Sequence, residues 1–462
     1  MKVEDLHSVH FLGIGGIGMS AIARWFLHLG KRVSGYDRTP SALTAALEQE
    51  GMEISYSDVE GSIPAHLLDG TAGTLIIWTP AMPADSYQLG FFRSKGYDLR
   101  KRAAVLGWIT SAMPTIAVAG THGKTTTSSM VAHLLKSGGK NIAAFLGGLT
   151  QNYESNLILQ DNTADQATVV VEADEFDRSF LHLHPNRAVV TSVDPDHLDI
   201  YGDGDAMLQS YRDFIGLIAA DGKLFIQHRA YVKLAPVSVE TVQYGLDGGE
   251  VRAINIKPEP AKFRFDYQSP SCTITDLELH MPGFHNVENA LAAIAICVDM
   301  GLDADKIKDG IGSYRGVKRR FEIHVQQKDR VYIDDYAHHP EEIRAFLASV
   351  KSMYPDKKLT AVFQPHLFTR TRDFAEGFSQ SLSLADQVLL LDIYPARELP
   401  IEGVHAAMLL DGITSKEKQL LSKEELLQFL ETNPTEVLVT IGAGDIDRLV
   451  EPIKKLALTY AH

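Results

Sequence analysis

The stretch Ala119-Gly120-Thr121-His122-Gly123-Lys124-Thr125-Thr126-Thr127 constrains this chain more than any other. It follows an apolar run, Thr115 to Ala119, and precedes a segment, Ser128 to Lys136, in which Met130, Val131, Leu134 and Leu135 recur at helical spacing. Strand, glycine turn and helix succeed one another without a break. Small residues let backbone N–H groups close on phosphate oxygens, and the helix N-terminus adds partial positive charge. Lys124 can reach a terminal phosphate and the Thr125 hydroxyl can take a magnesium ion, with Gly120, Thr121, Gly123 and Thr126 completing the cradle. The stretch reads as a nucleoside triphosphate site. The usual motif sets its first glycine farther from the Gly-Lys pair; here only Thr121 and His122 intervene. The plain alternative is a glycine-rich turn bearing an exposed lysine.

At 462 residues the chain has room for about three domains. Its 45% hydrophobic and 22% charged content is that of a soluble globular protein. A formal net charge of −15 argues against non-specific attraction to nucleic acid or anionic membranes, so an anionic ligand needs a locally basic site. Polyphosphates fit that description. Cys272 and Cys297 lie in apolar surroundings and form no metal or redox spacing, which suits a reducing compartment. Met1-Lys2-Val3-Glu4-Asp5 is acidic where a signal peptide would be basic, and no segment reaches the apolar length of a membrane span. The expectation is a cytoplasmic protein with no membrane insertion.

Taken in order, Ser8 to Leu12 leads into Gly13-Ile14-Gly15-Gly16-Ile17-Gly18 and a helical run from Met19 to Leu29. Gly13, Gly15 and Gly18 match the dinucleotide fingerprint, and Asp37 ends the next apolar strand where a ribose partner would stand. The glycine pattern supplies a backbone cradle for a diphosphate, which a nicotinamide cofactor or a UDP-sugar would satisfy equally. Thr74 to Trp78 ends in Thr79-Pro80-Ala81, a second loop expected at the same crevice. Ser111 to Pro114 reads as a linker. Beyond the phosphate loop, Ala167 to Val171 runs into Glu172-Ala173-Asp174-Glu175-Phe176-Asp177, and a buried strand ending in carboxylates is how a parallel sheet presents a magnesium ligand. Glu172 is the first choice; Asp174, Glu175 and Asp177 also read as a solvated acidic turn. Ala188 to Val193 delivers Asp194-Pro195-Asp196-His197 to the same edge, with His197 a candidate for a second cation. Residues 220–280, with Lys223 to Ile226 and Thr273 to Thr275, suggest a small antiparallel patch. Asn286 and Asn289, before a helix from Ala290 to Met300, could read a base edge or cap that helix. Farther on, Arg319-Arg320-Phe321 is a candidate anion contact. The strand Val331 to Ile333 ends in Asp334-Asp335-Tyr336-Ala337-His338-His339-Pro340, and Leu359 to Phe363 ends in Gln364-Pro365-His366-Leu367-Phe368-Thr369-Arg370. Polar groups crowded at strand ends usually face a ligand crevice. Strands at Gln387 to Asp392 and Val437 to Ile441 complete the alternation.

These motifs, in this order across essentially the whole chain, closely resemble the Mur ligase family. The resemblance implies an α/β protein of three domains. Residues 1–110 would form a Rossmann-like domain binding a UDP-sugar, 111–312 a central P-loop ATPase-like domain with a mostly parallel sheet, and 313–462 a Rossmann-like domain binding an amino acid. The family's short phosphate loop also accounts for the unusual spacing. Carried over by position, Gly13, Gly15, Gly16, Gly18, Asp37, Thr79 and Pro80 would hold the UDP-sugar. Lys124 would hold the transferred phosphate of ATP, Thr125 and Glu172 a first Mg2+, and His197 a second. Asn286 and Asn289 would lie near adenine, Asp335 near the ribose and Arg320 near the phosphates. His338, His366 and Arg370 would receive L-alanine, Arg370 pairing its carboxylate. Later-acting relatives carry a carboxylated lysine where this chain has Ile215, which resembles the alanine-adding branch. Leu367 stands where some relatives have a second arginine. The resemblance also allows a homodimer.

The implied chemistry joins L-alanine to the carboxylate of UDP-N-acetylmuramate. That carboxylate attacks the γ-phosphate of ATP, and the amine displaces phosphate from the resulting acyl phosphate. A ligase that attaches a whole tripeptide to the same sugar nucleotide shares the glycine turns. A nicotinamide-dependent dehydrogenase would explain Gly13 to Gly18 and Asp37 but leave Lys124, Glu172 and His197 idle. A non-catalytic nucleotide-gated module would bind ATP without turnover.

Overall fold

Continuous apolar runs flanked by glycine turns fold here as buried parallel strands, the expected behaviour when helices cover both faces of a sheet. The computed structural model describes residues 3–68, 70–160, 166–194, 201, 203–396 and 398–459. Contacts divide the chain into two units, Met1–Val251 with Ala292–Ile307, and Arg252–Leu291 with Lys308–His462. The division falls inside the helix Phe284–Asp299.

The first unit contains two sheets. β1 (Ser8–Leu12), β2 (Arg32–Tyr36), β3 (Glu53–Ser55), β4 (Thr74–Trp78) and β5 (Asp98–Lys101) form an all-parallel sheet in the order β3-β2-β1-β4-β5. The order reverses beside β1, so the loops after β1 and β4 open a crevice at the carboxyl edge. The second sheet comprises β6 (Thr115–Ala119), β7 (Ile142–Phe145), β8 (Leu157–Gln160), β9 (Thr168–Glu172), β10 (Arg187–Val190), β11 (Lys223–Gln227) and β12 (Glu240–Gly245). Within this unit their order is β12-β11-β10-β6-β9-β7-β8, parallel except for the β7–β8 hairpin. β6 lies between β9 and β10, which brings the phosphate loop, the Glu172 loop and the Thr191 loop to one edge.

Several expected boundaries move. Lys223 to Ile226 does not belong to an antiparallel patch: it is β11, in parallel register with β10 and β12. The antiparallel patch is confined to β13 (Val251–Glu259), β14 (Lys262–Gln268) and β15 (Thr273–Leu279), in the second unit from Arg252 on. β10 stops at Val190 rather than Val193, because Thr191 and Ser192 turn their hydroxyls to the phosphate loop. The helix expected from Ala290 begins at Phe284, just after the Pro282-Gly283 turn. Ser111 and Ala112 are the end of the helix Arg102–Ala112 rather than a free linker.

The second unit also carries β16 (Glu322–Gln326), β17 (Val331–Asp335), β18 (Leu359–Phe363), β19 (Gln387–Leu390), β20 (Glu417–Leu420) and β21 (Val437–Ile441). Their order is β16-β17-β21-β18-β19-β20, with only β16 antiparallel to its neighbour. Among the described residues no helix is long and apolar enough to cross a membrane.

One polar strut in the first unit joins its two sheets. The helix Ile17–His28 buries Met19, Ile22, Trp25 and Phe26 in a core shared with Phe145, Leu157 and Val171. At the rim of that core, Arg24 makes a two-point bond to Glu50 and donates to Asn156 Oδ1. Asn156 is fully buried, and its amide donates to the Ile17 carbonyl at 2.6 Å and to Ser20 Oγ at 2.9 Å. Removing one partner of such a network leaves the others desolvated and unpaired. Asn156→Ala is therefore expected to cost about 2 to 3 kcal/mol of stability, read as a lower midpoint in denaturant unfolding. An unchanged midpoint would mean that the strut carries no load.

Candidate active site

The phosphate loop is built by a tight exit from β6. Gly120 has φ +138° and Gly123 φ +81°, and a Cβ at Gly120 would stand 2.0 Å from Thr191 Oγ1, so only glycine fits there. Thr121 Oγ1 lies 2.8 Å from Ser192 Oγ, which also accepts from the His122 N–H at 2.8 Å. Thr191 Oγ1 donates to the Ala119 and His122 carbonyls. The two-residue spacing is thus held by the loop after β10. The helix Lys124–Ser137 starts here, and its first backbone bond runs from the Thr127 N–H to the Gly123 carbonyl. The N–H groups of Lys124, Thr125 and Thr126 precede it and point out of the helix N-terminus.

Two carboxylates from the loop after β9 complete this edge. Glu172 accepts from the Thr125 hydroxyl at 2.9 and 3.0 Å and from the Gly147 N–H at 3.0 Å. Lys124 Nζ donates to Glu175 at 2.8 Å and to the Gly120 carbonyl at 2.6 Å, and the Glu175 side chain is only 1% exposed. Burial pulls the Lys124 pKa down, but the negative charges of Glu175, Glu172 and Asp174 outweigh it, leaving the ammonium above its ordinary value. Lys124 is a fixed cation. The reading of Glu175 as part of a solvated acidic turn is therefore corrected; Asp177, half of a left-handed pair with Arg178, follows it at φ +53°.

Among the described residues no cluster of three or more His, Cys, Asp or Glu could hold a metal by itself. A hydroxyl facing a carboxylate beside a phosphate cradle instead suits Mg2+, which prefers oxygen ligands and takes most of its shell from phosphates and water. Thr125 and Glu172 fit that requirement. His197, expected to hold a second Mg2+, lies outside the described residues.

At the other sheet of the first unit, Gly13 has φ +91°, and a Cβ there would approach Thr79 to 2.9 Å. Gly16 is the N-cap of the helix Ile17–His28, with no side chain capping it. Asp37 accepts the Gly15 N–H at 2.8 Å and the Thr39 N–H at 3.1 Å, so its carboxylate fastens the glycine turn. Thr79, whose hydroxyl accepts the Ala81 N–H, and the exposed Pro80 follow β4 beside the turn. A cavity of about 170 Å³ is lined by Gly18 and Arg102 on one side and by Gly147, Glu172 and Asp174 on the other.

The second unit gathers the remaining candidates. Asp335, at the end of β17, accepts from the Phe321 and Ala337 N–H groups at 2.7 Å each. Burial raises its pKa to about 7, against the opposing Arg320 charge and those two bonds. The Arg319 and Arg320 guanidinium groups lie 5.1 and 5.0 Å from the Tyr336 ring. Asn286 does not cap its helix: its amide donates to the Pro282 carbonyl at 2.8 Å, and Asn289 donates to Asn286 Oδ1 at 3.4 Å. The neighbouring His285 ring lies 6.2 Å from Phe321. His338 and His366 have ring centres 6.2 Å apart, and both feel the positive charge of Arg370. His338 Nδ1 lies 3.0 Å from the Tyr336 carbonyl, which can only accept, so Nδ1 carries the proton and Nε2 presents a lone pair. Glu342, which no local pattern singles out, accepts the His338 and His339 N–H groups. Leu367 has φ +69° at the head of the helix Phe368–Asp373. Ile215 lies in the apolar core with Phe214 and Tyr211.

A phosphate loop with a carboxylate-held lysine, together with a glycine turn at a second parallel sheet, defines a nucleotide-handling α/β enzyme. The chain belongs to the Mur ligase family. Residues 8–113 match the family's catalytic domain, 118–297 its middle domain, and 319–444 its glutamate ligase domain. The chain is 47% identical to the UDP-N-acetylmuramate–L-alanine ligase of Christiangramia forsetii, over 99% of this chain and 100% of that one. The crystal structure of UDP-N-acetylmuramate-alanine ligase MurC from Thermotoga maritima superposes with a TM-score of 0.80 at 28% identity, covering 98% of this chain and 99% of that one. A murein peptide ligase from Psychrobacter arcticus shares the fold at a TM-score of 0.67 and 23% identity, over 99% and 100% of the two chains.

Burial holds His10, His285, His338 and His366 down to a pKa of about 4. Unfolded, each would take its proton near pH ~6.5. Their contribution to stability is complete above that value and is lost as pH falls toward 4. Asp335, raised to about 7, acts in the opposite direction, since the folded state takes its proton first. His66 and His280 are also lowered by burial and Asp334 is also raised by it, so six imidazoles oppose two carboxylates and Tm measured by scanning calorimetry should fall between pH 6.5 and 4.5. A flat or rising Tm over that range would contradict the burial of these imidazoles.

Proposed function

We propose that the chain is an ATP-dependent ligase that joins L-alanine to the carboxylate of UDP-N-acetylmuramate, forming ADP and phosphate, in the cytoplasmic stage of peptidoglycan precursor synthesis. The observation that carries this reading is 47% identity with a UDP-N-acetylmuramate–L-alanine ligase over 99% of this chain. Mur ligases are ATP-dependent, and the Lys124 loop is where the nucleotide belongs.

A carboxylate does not acylate an amine in water, because its oxyanion is a poor leaving group. Transfer of the γ-phosphoryl group creates a better one, but it requires two anions to meet. Lys124, held as a cation by Glu175, faces that charge. Mg2+ held by Thr125 and Glu172 would neutralise phosphate charge further, and His197 is the proposed ligand of a second ion. The glycine turn, with Gly13, Gly15, Gly16 and Gly18, takes the UDP diphosphate; Asp37 keeps its shape, and Thr79 and Pro80 close the crevice. Asn286 and Asn289 are the residues proposed for adenine, Asp335 for the ribose and Arg320 for the phosphates. Arg370 receives the alanine carboxylate unaided at position 367, where Leu367 offers no charge. Neutral His338 accepts a hydrogen bond from the attacking amine through Nε2, which orients its lone pair toward the acyl carbon.

Phosphate release measured with each substrate omitted in turn should require ATP, UDP-N-acetylmuramate and L-alanine together. Release with the tripeptide but not with L-alanine would assign the chain to the recycling reaction instead. Lys124→Met should lower kcat by about a hundred- to a thousandfold. Arg370→Ala should raise KM for L-alanine by about 10- to 100-fold while leaving KM for ATP unchanged; an unchanged alanine dependence would remove Arg370 from the amino-acid site.

A further inference from the structure

The glycine turn after β1 supplies N–H dipoles but no full positive charge, and the carboxylate fastened to it, Asp37, opposes an anion. A cation beside the turn would offset the charge of Asp37 and strengthen the hold on a diphosphate. Arg102, the first residue of the helix Arg102–Ala112, covers the turn: a methyl group at Gly18 would stand 2.6 Å from its Nη1 and 3.4 Å from its Cδ and Cζ. Gly18 is therefore the point at which the guanidinium lies against the backbone of the first helical turn. The same side chain lines the cavity of about 170 Å³ that runs from Gly18 to Glu172. Its ionic contact is Asp174, at 3.4 Å, with the two side chains 26% and 37% exposed. A long, half-open, single-point pair of this kind is weak, whereas a guanidinium binds two phosphate oxygens side by side.

We propose that Arg102 binds the diphosphate of the sugar nucleotide, giving up Asp174 to do so. The assignment rests on the sugar-nucleotide reading of the glycine turn. Gly18 is then required less for helix–strand packing than for the room this side chain occupies.

Calorimetric titration of the full chain with UDP, UDP-N-acetylmuramate and ATP separately tests this. Arg102→Met should weaken UDP and UDP-N-acetylmuramate alike by about 10- to 100-fold and leave ATP affinity unchanged. Arg102→Lys should restore part of the loss. Gly18→Ala displaces the guanidinium, so it should weaken UDP binding in the parental protein yet add little to Arg102→Met. UDP affinity within twofold of parental in Arg102→Met would overturn the proposal. So would a parallel loss of ATP affinity and Tm, or additive effects of the Gly18 and Arg102 changes. Weakened UDP-N-acetylmuramate with unchanged UDP would place Arg102 on the sugar's carboxylate and overturn the diphosphate assignment. A parental protein that bound neither uridine nucleotide would instead sink the sugar-nucleotide reading itself.

Discussion

Lys124 and Glu175 meet at 2.8 Å with side chains 14% and 1% exposed. Two charges withdrawn so far from water lose most of their hydration, and their mutual attraction repays this only when geometry is good and further bonds are made. The additional bond from Lys124 to the Gly120 carbonyl is one such contribution. As a source of stability alone, the arrangement would be a poor choice beside an apolar pair. In the proposed reaction its use is electrostatic: a cation whose position is set beforehand would face developing phosphoryl charge without reorganising when the charge appears.

Everything near that pair serves to hold it. β6 is the strand between β9 and β10, so the loop that bears Lys124, the loop that bears Glu172 and Glu175, and the loop that bears Thr191 and Ser192 leave the sheet at one edge. The hydroxyls of Thr191 and Ser192 fasten Thr121 and His122, while the Gly147 N–H, at the end of the β7 turn, orients Glu172. The β7–β8 hairpin in turn carries its neighbour Asn156, whose amide grips the first turn of the helix behind Gly18. Hydrogen bonds and the backbone of the β7–β8 hairpin thus connect Glu172 to the helix turn behind Gly18 within the first unit.

Much of this was legible in the sequence because buried parallel strands leave unbroken apolar runs. Thr74 to Trp78, Thr115 to Ala119, Leu359 to Phe363 and Val437 to Ile441 are strands with those limits. Pairing was not legible in the same way: Lys223 to Ile226 reads alike for a parallel or an antiparallel strand, and only its crossover from β10 makes it parallel. Hydroxyl side chains were misread at Thr191 and Ser192, which extend an apolar run in sequence but leave the ladder to bond the phosphate loop. Acidic residues were the hardest case. Glu172, Asp174, Glu175 and Asp177 are neighbours of one type, and what separates Glu175 from Asp177 is the left-handed turn at Asp177 and Arg178, which local composition does not announce. The contact between Arg24 and Asn156 spans 132 positions and carries no local signal at all.

The overall charge of −15 and the anionic ligands of a ligase are reconciled by the way the cations are kept. Lys124 faces Glu175, Arg102 faces Asp174, Arg319 faces Asp334, and Arg320 lies within the field of Asp335. Each cation is neutralised by a carboxylate of the chain itself, so the sites present little field to a simple anion at a distance. A monovalent anion that displaced one carboxylate would gain no charge by the exchange and would lose the protein's own hydrogen bonds. A polyphosphate gains two or more charges in one binding event and meets several donors fixed in place, including helix N–H groups that no side chain can satisfy. Selection for polyanions therefore follows from pairing each cation internally, and the acidic surface, which would weaken a site built from open lysines, does not weaken this one.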